Sequence, residues 1–277
     1  LRCGLAAGDP RHEACHCALE EGGDLRQAAG KELYSRWREQ VIVANSSHYA
    51  EMVLRDGRYR HEANARPPRK IGSHLELFDC ITCDKCVPVC PNDANFLIAG
   101  EGDGVPIVKL RRENGGWRAD QEGEIPLRER HQIANFADFC NDCGNCDVFC
   151  PEDGGPYVVK PRFFGTESAW RAASHLDGFH VTRRGHTEEV FGRFEGSEYL
   201  WMVEDDAVRY RTPTADLVLE GGEMQRARGE GPEEVDLTFG LIMDWLRRAV
   251  LDPAKVNYVN VLAEAASGEG DPNRERS

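Results

Sequence analysis

Eight cysteines stand in two short runs with the same spacing, and thiolates at such spacing are typical ligands of metal clusters. The two runs consist of Cys80, Cys83, Cys86 and Cys90, and of Cys140, Cys143, Cys146 and Cys150. In each run two-residue gaps separate the first three cysteines, a three-residue gap precedes the fourth, and a proline follows it. Such gaps let a loop curl around one cluster and present three sulfurs to three irons, while proline locks φ where the chain turns away.

This spacing is that of bacterial proteins with two 4Fe–4S clusters, in which the fourth cysteine of each run ligates the other cluster. The sequence therefore predicts two 4Fe–4S clusters. The ligands predicted for the first are Cys80, Cys83, Cys86 and Cys150, and those predicted for the second are Cys90, Cys140, Cys143 and Cys146. Ligation across the two runs would make the clusters close neighbours, near enough for fast electron tunnelling.

Zinc and disulfides are the competing interpretations of these cysteines. Zinc sites pair two-cysteine knuckles across a longer loop, whereas each run here places four cysteines within eleven residues. A disulfide framework would not repeat the same spacing twice with the same trailing proline. Three further cysteines, Cys3, Cys15 and Cys17, lie near the start with His12 and His16, either as free thiols or as an additional metal site.

Side chains beside the cysteines are expected to adjust the clusters. A dry apolar shell is predicted from Ile81, Val87, Val89, Val148 and Phe149. Nearby negative charge is expected from Asp79, Asp84, Asp142, Asp147 and Asp153. Such carboxylates disfavour the addition of an electron, so low reduction potentials are a hypothesis; alternatively, the aspartates are solvated turn residues whose charge salt screens.

The chain is strongly acidic, with a formal net charge of −14 over 277 residues. Such a charge disfavours nucleic acid and anionic lipid, and it suits either a partner with a basic docking face or simple solubility. No run of eighteen apolar residues and no signal peptide is present in the sequence, so we expect no membrane insertion and a cytoplasmic protein. The start at Leu1 suggests a fragment of something longer.

Motifs for substrate chemistry are missing from the sequence. No glycine fingerprint of a dinucleotide fold follows a predicted strand, and no phosphate-binding loop, nucleophile elbow or zinc protease motif occurs. The histidines are scattered and form no evident catalytic pair. We therefore expect no catalytic site in this chain.

The predicted fold class is α+β, with a ferredoxin-like unit and a β-rich C-terminal unit. Helices are predicted over 31–44 and 46–54, and an extended basic linker over 58–70. Strands are predicted over 95–99, 106–112 and 117–121, with a hairpin turn at Asn114 and Gly115, as a β-insertion between the cysteine runs.

Beyond the second run, strands are predicted over 190–194, 199–203, 208–211 and 217–219. A helix starting at Pro232 is expected to end at Leu251, followed by a strand or turn over 257–262 and a disordered tail from 267. The resulting division is a helical lead-in over 1–74, a two-cluster unit over 75–165, a β-rich unit over 166–266 and the tail over 267–277.

A resemblance extends this interpretation. Residues 139–164, FCNDCGNCDVFCPEDGGPYVVKPRFF, and the stretch CDKCVPVCPNDAN of the first run resemble the ferredoxin-type tail of selenate reductase iron–sulfur subunits, flavoproteins related to the glutamate synthase small subunit. The similarity covers about 75–165. Residues 25–75 are weakly similar to the chain that joins the flavin barrel of dihydropyrimidine or dihydroorotate dehydrogenase-like enzymes to their ferredoxin domain.

The resemblance implies FAD or FMN on a partner domain or subunit and a redox partner protein. The favoured function is an electron-transfer module or subunit of a larger flavin-dependent oxidoreductase. One alternative is a free-standing ferredoxin-like carrier. Another is a structural platform that redox-inactive clusters hold together.

Overall fold

A computed structural model describes residues 54–55, 62, 65–67, 69–100, 102, 104–129, 131–255 and 257–265. The helix predicted over 31–44, the three N-terminal cysteines and the tail from residue 267 lie outside these ranges. All but the last residue of the helix predicted over 46–54 also lies outside them.

Strands dominate the described part of the chain. The strands are β1 (Asn95–Ile98), β2 (Gly104–Glu113), β3 (Gly116–Pro126), β4 (Gln132–Phe136), β5 (Arg162–Phe163), β6 (Gly178–Arg184), β7 (Thr187–Phe194), β8 (Ser197–Glu204), β9 (Ala207–Arg211), β10 (Asp216–Glu220), β11 (Ala227–Glu230) and β12 (Glu234–Asp236). The α-helices are α1 (Asn145–Phe149), α2 (Pro156–Val159), α3 (Glu167–Ala172), α4 (Thr238–Leu251) and α5 (Tyr258–Ala265). A short 3₁₀ helix covers Met224–Arg226. The mixed, sheet-rich composition agrees with the predicted α+β class.

Nine of these strands form one sheet in the order β1-β4-β5-β6-β7-β8-β9-β10-β11. Strand β5 is parallel to both of its neighbours, and the other pairs are antiparallel. The sheet thus continues through residue 165, where the sequence suggested a boundary between units. That division stays a prediction.

The predicted hairpin between the cysteine runs is present as β2 and β3. Asn114 and Gly115 form its turn with φ of 50° and 81°, the left-handed pair that a two-residue hairpin favours. Strand β12 pairs with β2 to complete a three-stranded sheet. The backbone N–H of Val108 in β2 donates to Oγ1 of Thr238 at 3.3 Å, so this insertion docks on the start of α4.

The four strands predicted between 190 and 219 are confirmed as β7 to β10, but two predictions near the C-terminus are wrong. The helix begins at Thr238 rather than at Pro232, because 234–236 pair with β2 as a strand. It ends at Leu251, as predicted. Residues 258–265 form a helix rather than a strand or turn, because the Asn257 side-chain oxygen accepts the backbone N–H groups of Val259 and Asn260 at 2.9 and 3.1 Å.

A single packed core joins the cysteine region to the C-terminal sheet and helices. Phe78, which precedes the first cysteine run, meets Trp245 of α4 edge to face, with ring centroids 5.1 Å apart. Tyr258 of α5 meets Phe139, next to the second run, at 5.0 Å. Burial of such aromatic pairs contributes to stability beyond their area. The elements after residue 165 therefore support the cysteine loops directly.

Candidate metal centre

The two cysteine runs share an unusual backbone. Thr82 and Asp142, at matched positions, have φ of 47° and 52°, and Asp84 and Gly144, also matched, have φ of 56° and 75°. Left-handed conformations are uncommon for residues other than glycine, and a β-branched threonine is a clear outlier. The same curl therefore recurs in both runs, as the shared spacing predicts.

The four cysteines predicted for the first cluster lie together. They line one small cavity, and Cys150 reaches it from the second run. Cys86 and Cys150 are buried, Cys80 is half-buried and Cys83 is exposed. We call this set, Cys80, Cys83, Cys86 and Cys150, the first site.

The remaining four, Cys90, Cys140, Cys143 and Cys146, are called the second site. The pKa of the Cys146 thiol is raised to about 11, chiefly by burial, and the neighbouring Cys90 and Cys140 contribute to that rise. The Cys90 sulfur comes from the first run and also accepts the backbone N–H of Ala94 at 3.3 Å. Cys143 is exposed at the surface.

In the chain without clusters, burial favours the neutral form of several of these thiols over the thiolates that ligate iron. Burial strongly raises the pKa of Cys86, and the nearby Cys80, Cys146, Cys83 and Cys150 add to the rise. Several buried thiolates repel one another unless positive charge lies among them, and a cluster core of iron and sulfide supplies such charge. Across the described ranges, no three or more His, Cys, Asp or Glu side chains are grouped to hold a single metal ion.

An aliphatic side chain is shared by the two sites. Ile133 of β4 is fully buried, at 0% exposure, in one packed cluster with Cys86 and Cys146, against which Tyr157 also packs. Leu75 lines the cavity of the first site as well. These residues keep water away from the sulfurs that face the interior.

The apolar shell predicted from the sequence is partly wrong. Ile81 and Val148 are 45% and 52% exposed, because the loops turn them toward solvent, although Ile81 also lines the cavity of the first site. Val87, Val89 and Phe149 are half-buried. The dry wall comes instead from strand β4 and the segment before the first run, which spacing around the cysteines does not reveal.

Two lysines lie close to the first site. Lys160 is only 3% exposed and lines the same cavity, where its Nζ donates to the Glu76 carbonyl at 3.1 Å and lies 3.8 Å from the Asp79 carboxylate. Burial raises the pKa of the Cys80 thiol, and the charge of Lys160 opposes that rise. Lys70, in the predicted basic linker, donates to the carbonyls of Asp147 and Glu152. Sequence analysis missed Lys160 because a single lysine carries no pattern.

Amides take the corresponding place near the second site. Asn95 lies between the two sites, because its Nδ2 donates to the carbonyl of the first-site Cys86 at 2.9 Å and its side chain also forms a hydrogen bond with the second-site Cys146. Asn135 donates to the Asn95 side-chain oxygen at 3.0 Å. Burial raises the pKa of Cys140, and a hydrogen bond from Asn135 opposes the rise. Both asparagines are buried in strands, β1 and β4, and a buried polar residue among apolar neighbours was the available signal.

The aspartates beside the cysteines are at least partly exposed to solvent, and several of them also lie beside a lysine or a histidine. Lys70 lies 3.5 Å from the Asp147 carboxylate and 3.4 Å from that of Asp153, which reduces their combined negative charge. His131 Nε2 lies 2.7 Å from the Asp84 carboxylate, a pair that the sequence did not indicate. The hypothesis of low reduction potentials therefore rests on fewer free charges than the sequence suggested.

Comparison with known proteins agrees with this geometry. Residues 76–153, which hold both cysteine runs, match the family model described as a 4Fe-4S dicluster domain. The findings support an iron–sulfur protein with an electron-transfer role. In the described part of the chain, no helix is long and apolar enough to cross a membrane.

Two relatives are each 35% identical to the chain over 125 residues. Both carry the name "Putative oxidoreductase YgfK", one from Escherichia coli (strain K12) and one from Escherichia coli O157:H7. The match covers 45% of this chain but 9% of either relative, so the chain spans a small part of their length. No solved structure matches the chain.

Proposed function

We propose that this chain is the electron-transfer part of a larger flavin-dependent oxidoreductase and relays electrons through two 4Fe–4S clusters ligated across the two cysteine runs. The observation that carries the proposal is the position of Cys150, which lines one cavity with Cys80, Cys83 and Cys86 although it belongs to the other run. If each run ligated its own cluster with its own four cysteines, Cys150 would not need to lie among the cysteines of the first run.

The chain's own residues hold and shield the clusters. The eight cysteines supply thiolates, and when bound each cluster accepts and releases one electron. Ile133 and Leu75 exclude water from the interior sulfurs, while Lys160 places positive charge beside the first site. Phe78 and Tyr258 tie the cysteine loops to α4 and α5 through their ring contacts. These contacts keep the ligands in position between electron transfers.

The larger context rests on two supports. The relatives that match this chain are far longer and are named as oxidoreductases. The described residues show no second constellation that matches a substrate motif, so the substrate and the flavin, FAD or FMN, are proposed to reside on another domain or subunit. The cytoplasmic location expected from the sequence belongs to the same proposal.

Anaerobic reconstitution of the chain tests the cluster part of the proposal. We expect about eight irons per chain and two interacting EPR signals after reduction with dithionite, because two 4Fe–4S clusters lie close together. Binding of about four irons, or of zinc in place of iron, would contradict it.

Purification of the complete natural protein under anaerobic conditions tests the flavin part. The protein is expected to contain FAD or FMN, on the same chain or on a co-purifying subunit, and the flavin should reduce the clusters. A protein that contains eight irons but neither carries nor co-purifies with flavin would instead be a free-standing carrier.

A further inference from the structure

A groove of about 670 Å³ opens beside Cys80, where the cysteine region meets the C-terminal elements. Its apolar lining includes Leu77, Phe78, Ile125, Phe194, Phe239 and Ile242. These residues come from the segment before the first run, from β3, from β7 and from α4. The groove therefore exists only because the region after residue 165 packs against the cysteine loops.

The floor of the groove is built of stacked aromatic rings. Phe194 and Phe239 are parallel within 22°, with centroids 4.4 Å apart, and Tyr199 packs against both. Such a floor is preorganised because its rings restrain one another. It can accept an apolar side chain without rearrangement.

The rim of the groove is acidic. Five exposed carboxylates surround it, those of Glu76, Asp79, Glu129, Asp177 and Glu195. Arg128 is the one cation in the lining, and the buried Lys160 lies 3.8 Å from the Asp79 carboxylate. Several of them are held in place by hydrogen bonds from neighbouring residues.

These hydrogen bonds hold the rim carboxylates of Asp177 and Asp79 in fixed positions. The Asp177 carboxylate accepts the backbone N–H groups of Glu195 and Gly196 at 2.7 and 3.1 Å. The Asp79 carboxylate accepts the N–H of Glu76 at 2.8 Å. A cationic group that approaches the groove therefore meets ordered negative charge around an apolar floor, and a phosphate-bearing ligand meets repulsion.

Cys80 lines both this groove and the cavity of the first site. We propose that the groove is the docking site for the basic face of a protein redox partner, which inserts an apolar side chain against Phe194 and Phe239. The inference rests on the proposed function. In the docked complex one electron leaves the first-site cluster by way of Cys80 and reduces the partner's one-electron centre, so the cluster is oxidised as the partner is reduced.

Charge reversal at the rim, with a matched control, tests the proposal. The full chain with reconstituted clusters carries either Glu76→Lys with Glu195→Lys or, as control, Asp206→Lys with Glu230→Lys. Both pairs are exposed and change the net charge equally, but neither control residue lines the groove. The probe is cytochrome c, a lysine-rich one-electron acceptor, whose reduction by the reduced chain is followed by stopped-flow absorbance over a range of salt concentrations.

The rim variant is expected to slow the second-order reduction about tenfold at low salt and to weaken its salt dependence, because steering charges act on association rates. The control variant should stay within about twofold of the unchanged chain. Carbodiimide cross-linking of the unchanged chain to cytochrome c should join the probe's lysines to Glu76, Glu129 or Glu195.

Equal effects of the two variants, or cross-links concentrated at Asp206 and Glu230, would overturn the docking site. In both cases iron content and EPR signals establish separately whether the clusters are present, so the proposed function stands if the clusters form and reduce normally. A chain that assembles no clusters would overturn both proposals.

Discussion

The first and second sites share a ligand spacing and a backbone but differ in the groups around them. The matched left-handed residues give both runs the same curl. Around the first site lie a buried lysine and the groove, whereas around the second lie two buried asparagines and the aromatic contacts of Tyr258. The shared cysteine spacing therefore accounts for the ligands of both sites, while elements distant in sequence supply the different charged, polar and aromatic groups around each one.

The local structures diverge after the fifth residue of each run, which is Asp84 in the first and Gly144 in the second. Gly144 leads into helix α1, whereas the matched Asp84 leads into turns and pairs with His131. Glycine adopts a positive φ without steric cost, but Asp84 does so while its side chain has a fixed partner. The two cysteine runs thus adopt the same positive φ at this position with different residues, glycine in one and a hydrogen-bonded aspartate in the other.

The largest effect is expected from exchange of a crossing ligand. Cys90→Ser should remove the second-site cluster and halve the iron content, from about eight to about four per chain, because Cys90 belongs to the first run but lies beside Cys146. The measurement is iron analysis with EPR after dithionite reduction. Its spectrum should match that of Cys140→Ser.

If Cys90→Ser instead gave the EPR spectrum of Cys80→Ser, the assignment of Cys90 to the second site would be wrong. Cys150→Ser provides the matched control, because it is the crossing ligand in the opposite direction and should reproduce the Cys80→Ser spectrum. Loss of both clusters in every variant would show that the sites fold as one unit and cannot be separated.

The next effect concerns the pH stability of the cluster-free chain. The pKa of Cys146 rises to about 11 from an ordinary value of 9.0, chiefly through burial, and that of Cys86 rises further. The unfolded chain ionises these thiols first, so their contribution to stability is complete below pH 9. The contribution of Cys146 is lost as pH approaches 11, and that of Cys86 is lost over a wider range of pH. The free energy of unfolding should fall by roughly 2 kcal/mol for Cys146 alone.

Urea unfolding curves recorded at several pH values between pH 8 and about 10.5 measure this loss in the free energy of unfolding. Cys146→Ala should flatten the pH dependence and Cys86→Ala should flatten it more, since differences between variants cancel the titration of other groups. The exposed Cys83→Ala serves as the control. Identical pH profiles for all three variants would show that the two buried thiols titrate alike in both states.

A smaller effect is expected from the charge that distinguishes the sites. Lys160→Met should lower the reduction potential of the first-site cluster, because the added electron loses a nearby cation. We expect about a tenfold change in the reduction equilibrium, which corresponds to about 59 mV for one electron. An EPR-monitored redox titration measures both clusters in one sample.

Two further variants sharpen that result. Lys160→Arg should keep the potential close to its original value, and Lys109→Met, in the hairpin, should leave both potentials unchanged. If Lys160→Met shifted the two clusters equally, the lysine would not distinguish the sites.

The smallest effect is expected at the glycine of the second run. Gly144→Ala should destabilise the protein by about 1 kcal/mol, because φ is 75° and the cost comes from the left-handed backbone alone. No atom lies within 4 Å of an added Cβ, so no clash contributes. Thermal unfolding, with Gly116→Ala as a control at an ordinary φ, provides the measurement. An equal loss of stability in both variants would show that the left-handed backbone at Gly144 is not the source of the cost.

The parts of the molecule that local chemistry determines were predictable. The repeated spacing indicated a loop that curls in each cysteine run, the Asn114–Gly115 pair indicated the hairpin, and alternating residues indicated β7 to β10, whereas the assignment of the cysteines to two clusters stays a prediction. Each of these signals lies within a few residues of the structure it produces. The paired cysteine loops are therefore the most predictable part of the candidate site.

The remaining parts depend on contacts between distant residues. Strand β12 forms because Val235 pairs opposite Leu110 of β2, although Pro232 favoured a helix start. Lys160 lies at the first site through contacts with Glu76, and nothing near it in sequence marks that role. The groove likewise needs β3, β7 and α4 together, which no linear pattern contains.

Ile133 has a consequence for the speed of internal electron transfer. A hydrocarbon side chain carries no dipole that must turn when charge moves from one side of it to the other, unlike a water molecule or a hydroxyl group. Because Ile133 is packed in one buried cluster with Cys86 and Cys146, the surroundings of the two proposed clusters need little reorientation as an electron passes between them. A low reorganisation energy for electron exchange between the two clusters would follow.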